Sequence, residues 1–245
     1  MNNLILIWKI SLEVSEDTLK GYSTCLSEDE QSRANRFRFA DDKRRFIVSR
    51  GVLRHLLGRQ IAQPAHAIQF CYGEYGKPFV GQSGDAADGS LTDGGVHFNL
   101  SHSGELALCA LGYRRVGVDI ERVKTVKRLE GMMARCLSAA ELAEMDAELA
   151  EMNTESGGDR SLSFLARWTC KEAYLKAIGL GLTQSMQAVE VQLVPPRLIR
   201  IPVDKESNWH LYRLALPEEY VGAAVVAGGA TLQMCQWQHE AANGS

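Results

Sequence analysis

Residues 116–123, VGVDIERV, alternate an aliphatic side chain with a small or acidic one. That period belongs to a strand with one face on a core and one face turned elsewhere. Val116, Val118 and Ile120 take the first face, and Gly117, Asp119 and Glu121 the second. Two neighbouring carboxylates suit the solvated side of an edge strand. They suit a site equally well if another segment brings them a partner.

Residues 167–179, RWTCKEAYLKAIG, offer that partner. The stretch reads as a helix closed by a glycine. Phe164, Trp168 and Leu175 keep the helical period and are expected to face the core. Glu172 lies about 40° round the axis from Trp168, at roughly 100° per residue, and Lys176 is one turn further on. A Glu–Lys pair at this spacing is also an ordinary surface pair worth a few tenths of a kcal/mol. If Glu172 instead converges on Asp119 and Glu121, three carboxylates in a poorly solvated place raise one another's pKa. A hard divalent cation removes that penalty, and an all-oxygen set favours Mg²⁺ or Mn²⁺ over Zn²⁺. Mg²⁺ held this way usually also holds a substrate's phosphates.

The rest of the chain gives both segments a frame. Its 245 residues allow one large domain or two small ones, and the net charge of −3 implies no general attraction to nucleic acid or anionic membrane. Residues 4–10 read as a strand, and S-E-D-E at 27–30 as a capping box opening a helix to about residue 38. A longer helix covers residues 41–60. Residues 67–79 form a strand broken at Gly73 and Gly76, and residues 81–95 a mobile surface loop. Two strands flank the polar turn SHSGE.

The second part repeats the rhythm. It has a helix over 126–136, a second capping box at Ser138 and Glu141, a polar loop over 153–161, the helix described above, and an antiparallel set from 189 to 227. The tail from residue 240 is expected to be disordered. Helices mixed with hairpin-connected strands make the fold class α+β. The N-terminus has no basic leader, and its apolar run is too short to span a bilayer. Six scattered cysteines with no C-x-x-C pair suit a reduced, cytoplasmic protein.

No P-loop and no dinucleotide fingerprint is present, so phosphate has to be held by side chains. Candidates are Arg33, Arg36, Arg45 and Arg50, Lys77, His102, and Lys171 and Lys176 beside Glu172. Each is also an ordinary surface charge. Ser101 and His102 resemble a nucleophile with its base, but no nucleophile elbow surrounds them. A turn offering hydroxyl and imidazole to phosphate fits equally well.

Taken together, GVDIE (117–121), WTCKEAYLK (168–176), EYGKP (74–78) and FNLSHSG (98–104) resemble the 4′-phosphopantetheinyl transferases, in order and in spacing. The chain length resembles their larger, Sfp-type branch. The resemblance implies a pseudodimer of two similar α+β halves with the active site in the cleft between them. Residues 1–112 would form the half on the coenzyme A adenosine and 3′-phosphate side. Residues 113–245 would form the half with the metal ligands and carrier docking. The implied reaction moves 4′-phosphopantetheine from coenzyme A to a serine of an apo carrier protein, leaving adenosine 3′,5′-bisphosphate.

By the same resemblance, Asp119, Glu121 and Glu172 are the Mg²⁺ ligands (Mn²⁺ is an alternative), and Asp119, Glu172 and Lys176 are catalytic. Lys176 and Lys171 lie beside the pyrophosphate and the metal-binding glutamate. Ser101 and His102 contact phosphate, and Lys77 and Pro78 line the adenine pocket. Arg45 and Arg50, with Arg33 third, hold the 3′-phosphate. Glu30 stands where the family often has a basic residue, so that grip is expected to be built differently here.

The carrier is expected near residues 124–137, on Leu129, Met132, Met133 and Cys136, although these side chains would equally fill a core. The chain is expected to act as a monomer, without nucleic acid or membrane. The natural carrier (fatty-acid, polyketide or non-ribosomal peptide), the tolerance for acylated coenzyme A, and the choice of Glu172 or a metal-bound water as base stay open. The competing readings are another Mg²⁺-dependent phosphotransferase acting on nucleotides, and an inactive module that binds coenzyme A or a carrier.

Overall fold

The structure, a computed structural model, describes residues 3–81, 95–151, 157–180, 185–203 and 208–239. Most of the glycine-rich loop and the tail from residue 240 lie outside them. The chain folds as two runs of elements in the same order. The first is β1 (Leu4–Ser11), α1 (Glu16–Thr24), α2 (Glu28–Asn35), α3 (Ala40–Ile61), a small hairpin of β2 (Phe70–Tyr72) and β3 (Pro78–Val80), then β4 (His97–Ser103) and β5 (Leu106–Gly112). The second is β6 (Val116–Arg122), α4 (Leu129–Cys136), α5 (Ala139–Glu151), α6 (Gly157–Ile178), a hairpin of β7 (Glu190–Leu193) and β8 (Pro196–Arg200), then β9 (Trp209–Arg213) and β10 (Tyr220–Ala227).

Sheet order repeats too. β1-β5-β4 in the first run matches β6-β10-β9 in the second, antiparallel throughout. Each run carries one 22-residue helix, α3 or α6. This is the duplicated α+β architecture of a pseudodimer.

Helices α1, α2 and α5 begin where side chains can satisfy their first N–H groups. The Ser138 N–H donates to Glu141 Oε2 at 2.8 Å, and the Glu141 N–H donates back to Ser138 Oγ at 3.2 Å. The Ser27 N–H donates to Glu30 Oε2 at 3.0 Å. Both capping boxes read from the sequence are therefore in place. Helix α1 starts on Ser15, which accepts from the Thr18 N–H. Helix α6 begins at Gly157, inside the stretch expected as a polar loop.

Three cores result. Ile47, Val48, Val52, Leu53, Leu56 and Leu57 of α3 pack on Phe98, Ala107, Cys109 and Leu111 of the first sheet. Phe164, Leu165, Ala173 and Ala177 of α6 pack against Ala223 and Val225 of the second. Between the sheets, Ile5, Ile7, Leu108 and Ala110 meet Val116, Val118, Ile120, Ala224 and Val226. The layers run helix, sheet, sheet, helix. The aliphatic face of β6 lies against the first sheet, and its Gly117-Asp119-Glu121 face lies under α6.

A further strand, β11 (Thr231–Gln236), crosses back and pairs parallel with β1. After it, the indole N–H of Trp237 donates to Tyr22 Oη at 2.9 Å. The C-terminal strand thus belongs to the first sheet. Among the described residues no helix is long and apolar enough to cross a membrane.

Candidate functional site

Strands β4 and β6 are the facing edges of the two sheets, and side chains rather than a backbone ladder join them in the described residues. Alternation sends Asn99, Ser101 and Ser103 of β4 toward β6. Asn99 Oδ1 accepts the Val118 N–H at 2.9 Å. Ser101 Oγ donates to Asp119 Oδ1 at 2.7 Å, and Ser103 Oγ donates to Glu121 Oε2 at 2.7 Å. The opposite face of β4 puts Phe98 and Leu100 into the α3 core. His102 follows them toward Asp42 and Arg45. Desolvation, then the charges of Lys176 and Arg45, hold its pKa below the ordinary histidine value. Ser101 and His102 therefore sit within a strand and on opposite faces, not on a shared turn. The turn is Gly104-Glu105, where Gly104 takes φ +56°.

Helix α6 supplies the other wall. It approaches β6 closely because residue 117 is a glycine: a Cβ there would lie 2.0 Å from the Ala173 carbonyl oxygen. One helical turn from this contact, Lys176 Nζ donates to Asp119 Oδ1 at 2.5 Å and to Ser101 Oγ at 2.9 Å. Glu172 is half-buried beside them, and its pKa is raised by burial first and by the Asp119 charge second. The pKa of Glu121 is raised as well, mainly by burial.

Asp119 Oδ2 and Glu172 Oε1 are buried oxygens without a hydrogen-bond partner among the described residues. Orphaned carboxylate oxygens are costly unless something compensates them. All-oxygen donors with Lys176 bonded to Asp119, and no cation bonded to Glu172 Oε1 among the described residues, fit a hard dication such as Mg²⁺. The fit is one of chemistry rather than of a finished cage. Among the described residues no three acidic, histidine or cysteine side chains already surround one point, and Lys176 supplies the compensation that Asp119 has.

The expected phosphate ligands divide. Lys176 and Ser101 meet at Asp119, and His102 is close by. Arg45 is near the site but is held by Glu105, at 2.5 Å, and by Asp42. Arg50 is buried, bonded to Glu30 and to Tyr72 Oη, with its guanidinium 3.8 Å from the Phe70 ring centre. Glu30 also takes Arg54, so this acid joins two arginines of α3 in a buried network. Arg33 stacks on Phe46 at the exposed surface. Lys77 Nζ donates to the Ala177 carbonyl at 2.8 Å, capping the end of α6, and burial followed by the Arg115 charge pushes its pKa down to about 7. Pro78 opens β3 beside it.

With this geometry in place, relatives bear on it. Residues 115–225 match the 4′-phosphopantetheinyl transferase superfamily, and residues 12–112 match the family described as 4′-phosphopantetheinyl transferase, N-terminal. The chain is 34% identical over 223 residues to 4′-phosphopantetheinyl transferase HetI of a Nostoc species, covering 91% of this chain and 87% of that one. It belongs to the 4′-phosphopantetheinyl transferases. Further relatives are the transferase gsp of Aneurinibacillus migulanus, 29% identical over 73% of this chain and 66% of its own. Sfp of Bacillus subtilis is 27% identical over 74% and 72%.

In this transferase two expected contacts are corrected. Lys171 does not face the site. It is fully buried on the far side of α6, where Nζ donates to Glu141 Oε2 at 2.6 Å, the Cys136 carbonyl at 2.7 Å and the Met186 carbonyl at 3.1 Å. It sits one residue before Glu172, and a step of one in a helix turns a side chain by about 100°. Lys171 therefore ties α4, α5 and α6 together. Replacing it with methionine leaves Glu141 as an uncompensated buried charge, a loss of about 3–5 kcal/mol. Thermal unfolding should show a fall in Tm on the order of 10 °C, while protein kept cold and folded retains its KM for coenzyme A. A raised KM with unchanged Tm would return Lys171 to the substrate.

The second correction concerns α4. Met133 and Cys136 turn inward, 2% and 8% exposed, because an eight-residue helix on a core buries positions three apart. Of the four residues expected to receive a carrier, Met132 lines an open groove and Leu129 is half-buried against the core. The groove, of about 440 Å³, begins at Glu121 and is walled by Val126, Met132, Phe164, Leu165 and Trp168, with Lys124 and Lys127. Trp168 is half-buried, packing on the core as expected with one side lining the groove, while Phe164 and Leu175 are fully buried.

Proposed function

We propose that this transferase moves the 4′-phosphopantetheine group of coenzyme A onto a serine hydroxyl of an apo carrier protein. The serine oxygen forms a bond to the phosphorus that carries the pantetheine arm. The bond from that phosphorus to the bridging oxygen breaks, and adenosine 3′,5′-bisphosphate leaves. The observation that carries this reading is the meeting of Asp119, Glu121, Glu172, Ser101 and Lys176 where the two halves touch. Asp119, Glu121 and Glu172 would hold Mg²⁺ or Mn²⁺, which when bound offsets charge on the transferring phosphoryl group.

The chain's own groups do the rest. Lys176 offers its ammonium to the pyrophosphate side, and Ser101 orients Asp119. Glu172, with a raised pKa and one unpartnered oxygen, takes the serine proton. The groove beyond Glu121 receives the pantetheine arm and the carrier's serine segment. Met132 and Trp168 contact the apolar part, and Lys124 and Lys127 attract an acidic partner.

On the first half, residues 1–112, we assign the adenosine end of coenzyme A to the surface bounded by His102, Arg45, Arg33 and the Lys77-Pro78 hairpin. The second half, from residue 113, carries the metal and the carrier. The chain works as a monomer, since it contains both halves. Six free cysteines suit a reducing, cytoplasmic setting.

The test is the intact mass of an apo carrier protein incubated with the chain, coenzyme A and Mg²⁺. A gain of one phosphopantetheine that a chelator abolishes supports the reading. No gain with acyl or peptidyl carriers, despite tight coenzyme A binding, would leave a binding module.

A further inference from the structure

We infer that Ser103 is a positioning residue that holds the Glu121 carboxylate in place for the divalent cation. The inference rests on the metal reading above and adds a residue from the other half of the molecule to it. Ser103 Oγ has two partners. It accepts the Arg122 N–H at 3.0 Å and donates to Glu121 Oε2 at 2.7 Å. Because the backbone N–H fills one side of the hydroxyl, its own hydrogen is directed at the carboxylate. One glutamate oxygen is fixed in this way, and the other is left for a ligand.

Glu121 needs such a support more than its neighbours do. Asp119 is held by Ser101 and Lys176 and is 4% exposed. Glu121 sits on the open flank of β6, with Lys124 near enough to compete for its charge. Freed from Ser103, the carboxylate can swing to Lys124. Groups that orient a metal ligand typically affect metal affinity by roughly 10–100-fold. Ser103 also stands on β4, so the seating of the first half against the second is transmitted directly to a metal ligand of the second.

The experiment compares wild type, Ser103→Ala and Ser103→Thr as full chains. Mn²⁺ binding is followed by the paramagnetic resonance of the free ion, with coenzyme A present and carrier omitted. Turnover is then measured against Mg²⁺ concentration. Ser103→Ala should bind Mn²⁺ roughly 10–100-fold more weakly, require correspondingly more Mg²⁺ for half-maximal rate, and reach the wild-type kcat at saturation. Ser103→Thr, which keeps the hydroxyl, should restore both. Wild-type metal affinity in Ser103→Ala, or a lowered kcat with unchanged metal dependence, would overturn the assignment. A wild-type chain that binds no Mn²⁺ would instead overturn the metal reading beneath it.

Discussion

Replacing Glu172 with glutamine will raise the melting temperature of the metal-free protein near neutral pH and all but abolish transfer. The two effects share one cause. Burial, and then the Asp119 charge, raises the Glu172 pKa above its ordinary value. Between that ordinary value and the raised one, the folded chain keeps a proton that the unfolded chain has released. Stability therefore falls as pH rises through this window and stays lower above it. Glutamine carries no charge, so the variant's advantage is full above the raised pKa and disappears below the ordinary carboxylate value. Mg²⁺ should reverse the order. It compensates the wild-type carboxylates and raises their Tm, but gains less from the variant.

The rate loss should be on the order of 10³-fold, because on the proposed reading Glu172 would serve both as a ligand of the cation and as the proton acceptor. Thermal unfolding from pH 4 to 8, with Mg²⁺ or with chelator, separates these contributions. A variant that is less stable than wild type without metal would show that Glu172 is compensated by something other than the cation.

The sequence made part of this site legible. Strand period alone placed Asp119 and Glu121 on one face, and helix period placed Glu172 and Lys176 a turn apart. Those are local rules, and the local geometry obeys them. The capping boxes at Ser27 and Ser138 were readable for the same reason. Helix α1 carries a comparable local signal, Ser15 followed by Glu16 and Asp17.

What local rules do not hold is the partner of each charge. Lys171 and Lys176 both flank Glu172, yet one is sealed against Glu141 and the other meets Asp119. Only the packing of α5 decides that. Arg45 and Arg50 read as free cations because Glu105 and Glu30 are distant in sequence or lie on another helix. Ser103 was hidden inside a motif read as a turn, and its role appears only once β4 is seen as the edge facing β6. Strand β11 pairs with β1 across the whole chain, and no pattern within residues 231–236 points there.

Gly117→Ala is the smallest change expected to disable both the fold and the site. The added Cβ would stand 2.0 Å from the Ala173 carbonyl oxygen and 2.4 Å from the Ala177 nitrogen. Both are backbone atoms of α6, so no flexible side chain can yield, and the helix has to move as a body. Overpacking of this kind costs about 1–3 kcal/mol or more. It also falls next to the positions that matter, since Glu172 and Lys176 immediately precede the two contact residues on α6 and β6 carries Asp119 two residues away. A helix shift of about 1 Å can cost on the order of 10²-fold in rate through misplacement alone.

Gly131 provides the control. It too lies within a helix, α4, but nothing stands within 4 Å of its missing Cβ. Gly131→Ala should be neutral or stabilise by about 0.5–1 kcal/mol through the unfolded chain. Paired measurements of Tm and kcat would show Gly117→Ala lowered in both and Gly131→Ala in neither. If Gly117→Ala kept wild-type turnover, α6 would not need its close seat on β6, and the Lys176–Asp119 contact would not be what sets the site.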